Sequence, residues 1–350
     1  MKQATPIRTD ALVIGAGPVG LFAVFQLGLL GVHAHVVDSL PHAGGQPAEL
    51  YPDKPIYDIP GLPVSTGAAL AQALRQQTQP FAPTMHLQEE VAELQASPDQ
   101  RWHVRCASGL SFDAATVFIA AGVGAFVPKT LALPGIEAFV GQQLHYHRPA
   151  QMPSSGESLL VMGDGDAALQ AVIDAAENGV TVTLMHRRDA FKAEAHCVAE
   201  LQALRDSGRV TFLAAQATGF EATGGQLQAL RVALPDGRED RIAVNQIWAL
   251  TGLSPKLGAL AHWGLAMERK QLVVNTEDFQ TALHGIFAIG DINTYPGKKK
   301  LLVCGFHEAT LAAYGAMAII TPGQNVPLQY TTTSKQLHAR LGVGHSRSST

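Results

Sequence analysis

Apolar positions near the start of the chain follow the order strand, helix, strand. Residues 11–14 form a short apolar run with β-branched side chains, which is typical of a buried strand. Over residues 21–30 the apolar positions recur at helical spacing, and residues 32–37 make a second apolar run that ends at Asp38. This pattern predicts a β-α-β unit at the head of the chain.

A glycine-rich turn joins the first predicted strand to the predicted helix, with the sequence G-A-G-P-V-G over residues 15–20. In such a turn Gly15 allows a tight reversal, Gly17 lets the backbone approach a pyrophosphate, and Gly20 lets the helix pack close to the strand. The helix N-terminus offers free N–H groups to phosphates, and Asp38 can accept a hydrogen bond from a ribose hydroxyl. The unit is therefore predicted to bind a dinucleotide.

The same pattern returns in the middle of the chain. An apolar run over residues 159–162 leads into the turn G-D-G-D-A-A over residues 163–168; a helical stripe and an apolar run over residues 180–185 follow. Ala168 stands where the third glycine stood in the first unit, a substitution that the dinucleotide-binding motif permits. Two such units predict two dinucleotides, which we expect to meet at one site.

The second unit ends in bases where the first ends in an acid. Its last apolar run is followed by His186, Arg187 and Arg188. Arginines fit a 2′-phosphate through charge-assisted hydrogen bonds, each worth about 1.5–3 kcal/mol. Two such bonds would favour NADPH over NADH by about a hundredfold or more. The alternative is an exposed basic strand end without a ligand.

Other segments complete the predicted organisation. Residues 41–63 are rich in glycine, proline and tyrosine and are predicted to form a loop across a bound ligand, whereas residues 66–78 are predicted to be helical. Apolar runs that end in small residues, at 117–122 and 247–252, mark two predicted crossings between domains. The predicted domains are residues 1–123 with 251–332, residues 124–250, and a partly disordered C-terminal tail over residues 333–350.

Near the C-terminal end, an apolar run over residues 285–289 leads to Asp291 at a glycine turn. This aspartate could bind a ribityl hydroxyl or cap the helix that follows. A further helix is predicted over residues 305–320, and the periodicity is lost from residue 321 onward.

Composition narrows the possible functions. The 350 residues favour about two domains, and 47% hydrophobic with 15% charged residues suits α/β domains with sheets covered on both faces. A formal net charge of −4 argues against nucleic acid as the main partner. No stretch is seen to approach an 18-residue apolar span and the N-terminus has no apolar signal core, so no membrane segment and a cytoplasmic location are expected.

Cysteine and histidine positions offer no local metal or redox motif. The three cysteines, Cys106, Cys197 and Cys304, are far apart, and no C-x-x-C sequence exists. His145 and His147 form an H-x-H pair, which without further ligands is more often a surface or packing feature than a metal site. No metal is expected.

Taken together, the motifs resemble those of flavin-dependent pyridine-nucleotide reductases, and more narrowly those of ferredoxin–NADP⁺ reductases of the thioredoxin-reductase type. The resemblance rests on G-G-Q at residues 44–46, H-R-R-D at 186–189, G-D-I at 290–292 and G-F-H-E-A at 305–309. With the two glycine turns, these motifs cover nearly the whole chain.

The resemblance implies an α/β fold of two Rossmann-like, three-layer dinucleotide-binding domains in a thioredoxin-reductase-like architecture. It also implies FAD in the first unit, NADPH in the second, and a homodimer whose C-terminal segment reaches the flavin. Thioredoxin reductase carries a C-x-x-C pair just before its second nucleotide unit, whereas residues 145–149 here contain no cysteine, so disulfide reduction by that route is excluded. Asp164 and Ala167 depart from the family, which usually has glycine and serine there.

Motif position in the family implies a set of nucleotide-contacting residues. For FAD they are Gly15, Gly17, Pro18, Gly20, Asp38, Gly45, Gln46, Tyr51, Val91, Phe126, Asp291 and Thr332. For NADPH they are Gly163, Gly165, Asp166, Ala167, His186, Arg187 and Arg188. Tyr51 is expected to stack on one face of the isoalloxazine ring and Tyr330 to cover the other. No side-chain acid, base or nucleophile is required, because the flavin carries the chemistry.

The implied reaction is hydride transfer from NADPH to the flavin, followed by single-electron transfers to ferredoxin or flavodoxin. Lys298, Lys299 and Lys300 are the candidate docking patch for this acidic carrier through electrostatic steering, the alternative being a solvated lysine turn. Two other functions stay open: a flavin oxidase or monooxygenase, and a non-catalytic nucleotide-binding regulator.

Overall fold

The computed structural model describes residues 5–343, apart from the side chains of Phe126 and Pro255. The chain separates into two compact units, the first comprising Met1–Ala125 and Lys256–Thr350 and the second comprising Phe126–Pro255. The chain passes between the units twice, and the crossing strands, Ala125–Pro128 and Leu253–Lys256, pair with each other. The sequence predicts domain boundaries after residues 123 and 250, close to these two strands.

The first unit is built on a seven-stranded sheet. In spatial order its strands are Thr84–Leu87, Ala34–Asp38, Ile7–Ile14, Ser111–Ile119, Trp102–Cys106 and Val91–Ala96, and Ile286–Ala288 also pairs with Ser111–Ile119. Its α-helices are Pro18–Leu29, Gly45–Leu50, Gly67–Thr78, Leu302–Ile320 and Lys335–Arg340. Shorter strands are Pro55–Ile56, Ser65–Thr66, Met267–Glu268, Gln271–Val273 and Asn293–Thr294, and 3₁₀ turns are Gln79–Phe81, Gly258–His262 and Gly290–Ile292. The strands before and after the first glycine turn run parallel, so their carboxyl ends share one edge of the sheet.

Local sequence explains these elements. Residues 11–13 are fully buried, as expected for a parallel strand that is covered on both faces. The predicted helix at 66–78 is confirmed: the Thr66 hydroxyl caps it by accepting a hydrogen bond from a backbone amide of its first turn, and Leu70 and Leu74 are buried on one face.

The second unit has a five-stranded parallel sheet between two unlike layers. Its strands, in spatial order, are Leu144–His145, Gln246–Ala249, Ser158–Met162, Thr181–His186 and Val210–Ala214. The other elements are the helices Asp166–Glu177 and Ala195–Asp206, the 3₁₀ turn Ile136–Phe139, and an antiparallel sheet of Gln216–Thr223, Gln226–Ala233 and Glu239–Ala243. Leu159 and Val161 pack with the helices, whereas Leu160 and Met162 pack with the antiparallel sheet. The predicted three-layer α/β organisation is confirmed for this unit.

Residues 41–63 are more regular than the sequence predicts. They include the helix Gly45–Leu50 and the strand Pro55–Ile56 within the segment predicted to be a structureless loop. Gly44 and Gly45 have φ angles of 139° and 59°, which only glycine adopts readily, and they turn the chain into this helix. A six-residue helix is too short to produce a recognisable hydrophobic period, so the sequence pattern misses it.

A second unpredicted helix, Lys335–Arg340, lies in the predicted C-terminal tail. The Ser334 hydroxyl caps it by accepting a hydrogen bond from Leu337 N at 3.2 Å, and the Leu337 side chain is buried. Arg340 donates to the carbonyl of Leu29 at the end of the first helix, where a cation is favoured by the helix dipole. The tail is therefore ordered at least to this point, while residues 344–350 lie outside the described part of the chain.

The helix Leu302–Ile320 corrects the expectation that no stretch approaches a membrane-spanning length. With 19 residues and a mean hydropathy of 1.3 it is long and apolar enough to span a membrane, and no other helix among residues 5–343 is. It contains the fully buried Glu308, and its buried alanines, including Ala309, Ala312 and Ala316, belong to the core of the first unit. Length and composition thus identify a core helix of this unit as readily as a membrane span.

Candidate dinucleotide-binding sites

The first glycine turn is closely packed by backbone at its first and third glycines. Gly15 has φ of +110°, and a Cβ there would lie 2.4 Å from the carbonyl oxygen of Ala120. A Cβ at Gly20 would lie 1.9 Å from the carbonyl oxygen of Gly15. Gly15 N also donates to Val37 O at 2.8 Å, which ties the turn to the end of the neighbouring strand. The two glycines are therefore required by the fold itself.

Asp38 lies half-buried at that strand end and already holds the turn. Its Oδ2 accepts from Ala16 N at 2.6 Å and its Oδ1 accepts from Leu40 N at 2.8 Å. Burial raises the pKa of the carboxyl, and the two amide hydrogen bonds oppose this effect. Each oxygen has a further lone pair, so the carboxylate can still accept from ribose hydroxyls. Glu89 N, two residues before Val91, donates to the Asp38 carbonyl at 3.0 Å.

Gly44 and Gly45 form the opposite wall of the first turn. Gly44 N donates to Ala16 O at 2.9 Å, and a Cβ at Gly45 would lie only 2.6 Å from Gly17 Cα. This close approach leaves backbone rather than side chains facing the turn, as a pyrophosphate requires. Gln46 follows in the same short helix.

Tyr51 and Asp291 lie in one neighbourhood. Burial raises the pKa of the Tyr51 phenol first, and the negative charges of Asp291 and Asp58 raise it further. Burial also raises the pKa of Asp291, whose carboxylate forms no hydrogen bond with a residue in the described range 5–343. The positive charges of Lys298 and Lys300 oppose this rise in pKa. A carboxylate with no hydrogen-bond donor in the described residues, near a tyrosine, fits the ribityl and ring portions of a flavin nucleotide.

A buried charge pair supports the turn that carries Asp291. Glu308 is fully buried and accepts from Gly290 N at 2.7 Å, from Asn293 Nδ2 at 2.8 Å and from the Tyr295 hydroxyl at 2.9 Å. Lys298 Nζ also donates to Glu308, and to Gly290 O at 2.9 Å. Sequence reasoning assigned no role to Glu308, although an acid within an otherwise apolar helix is the signal that could have identified it.

The buried pair of Lys298 and Glu308 shows that the predicted docking patch is wrong for Lys298. The Lys298 side chain is only 6% exposed and is committed to Glu308, so it cannot belong to a docking surface. Lys299 and Lys300 remain exposed. The three lysines therefore have different roles, which sequence position alone does not distinguish.

The remaining residues expected to contact FAD lie partly in the turn and partly in distant segments of the chain. Pro18 begins the first helix at the turn. Tyr330 is 65% exposed and Thr332 is also exposed, in the segment before the last helix. No hydrogen bond joins either of them to the first turn within residues 5–343. Phe126 lies in the crossing strand, and its side chain is outside the described part of the chain.

The second glycine turn is as tightly packed as the first at its leading glycine and has open space at its second glycine, where a Cβ at Gly17 of the first turn would lie 3.8 Å from Gly45 Cα. Gly163 has φ of +154°, and a Cβ there would lie 2.4 Å from Leu250 O, so this glycine is required by the backbone. At Gly165 nothing lies within 4 Å of an added Cβ. The helix Asp166–Glu177 begins there without a side-chain cap, and Ala167 in its first turn is exposed. The helix N-terminus is thus free to receive phosphate oxygens.

The basic residues lie next to this open turn. Gly163 N donates to Met185 O at 3.3 Å, which ties the turn to the strand that ends at His186. His186 Nδ1 lies 2.9 Å from Arg188 O, so the chain turns back at this point. Arg187 and Arg188 are exposed, and neither guanidinium has an ion pair among residues 5–343. Two free guanidinium groups beside a helix N-terminus fit a phosphorylated ribose.

Two acidic side chains of the second turn have internal partners. Asp166 Oδ1 accepts from Glu194 N at 2.6 Å. Asp164 Oδ2 lies 3.3 Å from Lys192 Nζ and 3.7 Å from His186 Nε2. The sequence noted Asp164 only as a departure from the family pattern; its ionic contacts follow from the folded loop.

The cysteines form no redox pair. All three are free in the structure, and Cys106 and Cys197 are buried. Burial raises the pKa of the Cys106 thiol to about 12, so it is protonated and unreactive at neutral pH. Within residues 5–343 no three potential ligands cluster as a metal site, and His145 Nε2 instead lies 3.2 Å from the Gln142 carbonyl.

Comparison with known proteins finds one matching family model and full-length relatives. A family model described as "Pyridine nucleotide-disulphide oxidoreductase" matches residues 9–313. The "Ferredoxin--NADP reductase" proteins of Acidovorax sp. (strain JS42) and Paracidovorax citrulli (strain AAC00-1) are each 53% identical to this chain; the alignments cover 99% and 98% of this chain, and 99% and 98% of the relatives.

Solved structures share the fold at low sequence identity. Bacillithiol disulfide reductase Bdr (YpdA) from Staphylococcus aureus is similar with a TM-score of 0.62 at 14% identity, covering 89% of this chain and 99% of that one. Lactococcus lactis thioredoxin reductase gives a TM-score of 0.57 at 18% identity, with the same coverage. These similarities confirm the predicted thioredoxin-reductase-like fold class.

Proposed function

This chain belongs to the pyridine nucleotide-disulphide oxidoreductase family, and on that premise we propose that it is an FAD-dependent ferredoxin–NADP⁺ reductase. The observation that carries the proposal is the contrast between the two glycine turns on a chain without a redox dithiol. The strand after the first turn and its helix ends in Asp38; the strand after the second turn and its helix ends at His186 and is followed by the free guanidinium groups of Arg187 and Arg188. The full-length similarity to curated ferredoxin–NADP reductases supports the same function.

FAD in the first unit supplies the redox chemistry when bound, since it can accept a hydride from NADPH and release electrons singly to an acidic carrier. Asp38 would accept from the ribose hydroxyls, and the amides at the start of the first helix would hold the pyrophosphate. Asp291 would accept from the ribityl chain, and Tyr51 would pack against the flavin. Tyr330 and Thr332, in the C-terminal segment, would contact the flavin in a homodimer.

The second unit selects the nicotinamide nucleotide. The N-terminus of the helix Asp166–Glu177 receives the pyrophosphate, since its first amides have no side-chain cap. Arg187 and Arg188 donate charge-assisted hydrogen bonds to the 2′-phosphate of NADPH, which NADH lacks.

The electron acceptor is ferredoxin or flavodoxin. Lys299 and Lys300 form the positive surface that steers this acidic carrier, while Lys298 acts inside the protein. A Lys299→Gln/Lys300→Gln variant should slow reduction of the carrier, increasingly so at low ionic strength, and leave reduction of a small neutral acceptor unchanged. We place the reaction in the cytoplasm, where NADPH and these carriers are available.

The test is an anaerobic titration of the purified flavoprotein. NADPH should bleach the flavin absorbance faster than NADH, and added ferredoxin should restore it. Arg187→Ala/Arg188→Ala should remove about a hundredfold of preference for NADPH, whereas Arg238→Ala, which removes an exposed arginine paired with Asp236 in the same unit, should have no effect.

Other results would redirect the assignment. Bleaching without recovery on addition of ferredoxin or flavodoxin would reject both carriers. Rapid oxygen consumption without a protein carrier would instead favour a flavin oxidase or monooxygenase. A purified protein that binds no flavin would favour a nucleotide-binding regulator.

A further inference from the structure

Asp164 lies in the second turn at the position that Ala16 holds in the first, directly after the leading glycine. Its carboxylate is 3.3 Å from Lys192 Nζ and 3.7 Å from His186 Nε2. No other hydrogen bond or ion pair involves this carboxylate within residues 5–343. An acidic side chain therefore lies between the Lys192 ammonium and the His186 ring, which border the second turn.

The carboxylate has no part in building the turn. The backbone carbonyl of Asp164 accepts from Lys192 N at 2.6 Å, and Gly165 forms a backbone bridge with Lys192. These backbone contacts hold the segment around Lys192 in position, and the Asp164 side chain takes no part in them. The helix Asp166–Glu177 has Gly165 as its N-cap residue and no side-chain cap, so the carboxylate does not act as a cap either.

Lys192 is shared between this carboxylate and any incoming phosphate. Its side chain is 82% exposed, and Asp164 is its only ion-pair partner in the described residues. Because like charges repel, a phosphate that approaches Lys192 and His186 must displace the Asp164 carboxylate or tolerate its charge. A nucleotide without a phosphate on this ribose meets this repulsion much less.

We propose that Asp164 is a specificity-determining residue that competes with the 2′-phosphate of NADPH for Lys192 and His186. The inference rests on the proposed function, in which the second unit binds NADPH. Its consequence is a preference for NADPH over NADH that is smaller than Arg187 and Arg188 alone would produce, together with easier release of NADP⁺.

The test is calorimetric titration of the holoenzyme with 2′,5′-ADP, NADP⁺ and NAD⁺. Asp164→Asn should lower the Kd for 2′,5′-ADP and NADP⁺ by about threefold to fivefold, as expected for loss of one exposed ionic competitor, and change the Kd for NAD⁺ by less than about twofold. Asp174→Asn is the matched control, because it removes a carboxylate of the same unit that pairs with Arg148 instead. It should change none of the three constants.

A double-mutant cycle identifies the cation involved. In a Lys192→Met background, Asp164→Asn should lose most of its effect on 2′,5′-ADP, since the competed group is gone. If the Asn variant fails to fold, as judged by its thermal unfolding, Asp164→Ser removes the same charge and gives the same test.

Two results would overturn this inference alone. Weaker binding of NADP⁺ by the Asp164 variants would make the carboxylate a positioning group for Lys192, and equal tightening of NADP⁺ and NAD⁺ would make it a general charge effect. In contrast, a wild-type protein that binds 2′,5′-ADP no better than 5′-AMP would overturn the proposed NADPH site and the inference with it.

Discussion

The two glycine turns share a backbone plan and differ in where the charges lie. In each, the leading glycine donates to the end of the neighbouring strand: Gly15 N to Val37 O at 2.8 Å, and Gly163 N to Met185 O at 3.3 Å. In the first unit the strand end supplies a carboxylate that accepts from the turn. In the second unit the turn supplies the carboxylate and the strand end supplies the cation. One backbone motif thus occurs twice in the chain, with opposite signs of charge at the two strand ends.

The turns also differ in how firmly the surrounding chain closes around them. Gly45 and Gly290 pack against the first turn, and the buried pair of Lys298 and Glu308 holds Gly290 in place. The second turn has open space at Gly165 and exposed arginines beside it. A closed, internally braced site suits a resident cofactor, whereas an open site suits a nucleotide that must leave after each turnover.

The largest effect is expected from the buried pair of Lys298 and Glu308, which supports Gly290 beside the first turn. Lys298→Met leaves Glu308 buried without its cationic partner and should reduce the free energy of unfolding by about 3–5 kcal/mol. Chemical denaturation of the holoenzyme measures this loss. The double variant Lys298→Met/Glu308→Gln should recover part of it. Full stability of the single variant would mean that the three neutral donors to Glu308 suffice.

The next effect contrasts the third glycine of the first turn, Gly20, with the second glycine of the second turn, Gly165. Gly20→Ala places a Cβ against the Gly15 carbonyl and should cost about 1–3 kcal/mol of stability, with loss of flavin during purification. Gly165→Ala has space for the methyl group and should fold normally, while its methyl group hinders nucleotide approach and weakens NADP⁺ binding. Thermal unfolding and NADP⁺ titration distinguish the two. Similar destabilisation by both substitutions would contradict the difference in the space around these two glycines.

An effect of similar size, on flavin binding rather than on stability, is expected at Asp38. An Asp38→Asn side chain has one acceptor oxygen, so it cannot accept from both Ala16 N and Leu40 N as the carboxylate does. The loss of one charge-assisted hydrogen bond should weaken FAD binding by about 1.5–3 kcal/mol, measured by fluorescence of released flavin on dilution. Asp113→Asn, at a carboxylate of the same sheet paired with Arg101, is the control and should retain flavin normally.

The smallest effect is a difference in acid sensitivity between corresponding strands. His35 Nδ1 lies 3.0 Å from His86 Nε2 in the first unit, and burial lowers the pKa of both rings below the usual 6.5. The folded state favours their neutral forms, so their stabilisation is complete above about pH 6.5 and is lost as the pH falls below it. Hydrogen exchange, corrected for the intrinsic pH dependence, should therefore increase in Ala34–Asp38 more than in Thr181–His186 on acidification.

A variant isolates the histidine pair in this experiment. His86→Leu removes one partner, and the acid-dependent increase in exchange at Ala34–Asp38 should then become smaller. Equal increases in both strands, unchanged by the substitution, would indicate global acid destabilisation instead.

Long elements with a clear period were predicted correctly because local sequence determines them. The strand before each glycine turn and the helix that follows Thr66 are examples, since burial of one face requires a repeating apolar pattern. The helices Gly45–Leu50 and Lys335–Arg340 were missed because six residues are too few to show such a pattern. The first depends on two positive φ angles and the second on contacts of Leu337 and Arg340 with distant residues.

By itself, the sequence determined the two β-α-β units, the acid at one strand end and the bases at the other, because these depend on residues within one continuous segment. Only the tertiary structure decided which charges meet. Lys298 and Glu308 are brought together from separate elements, and Asp164 reaches Lys192 across a folded loop. Neither pairing has a sequence period. The charges were visible in the chain, but their partners depend on how non-local segments pack.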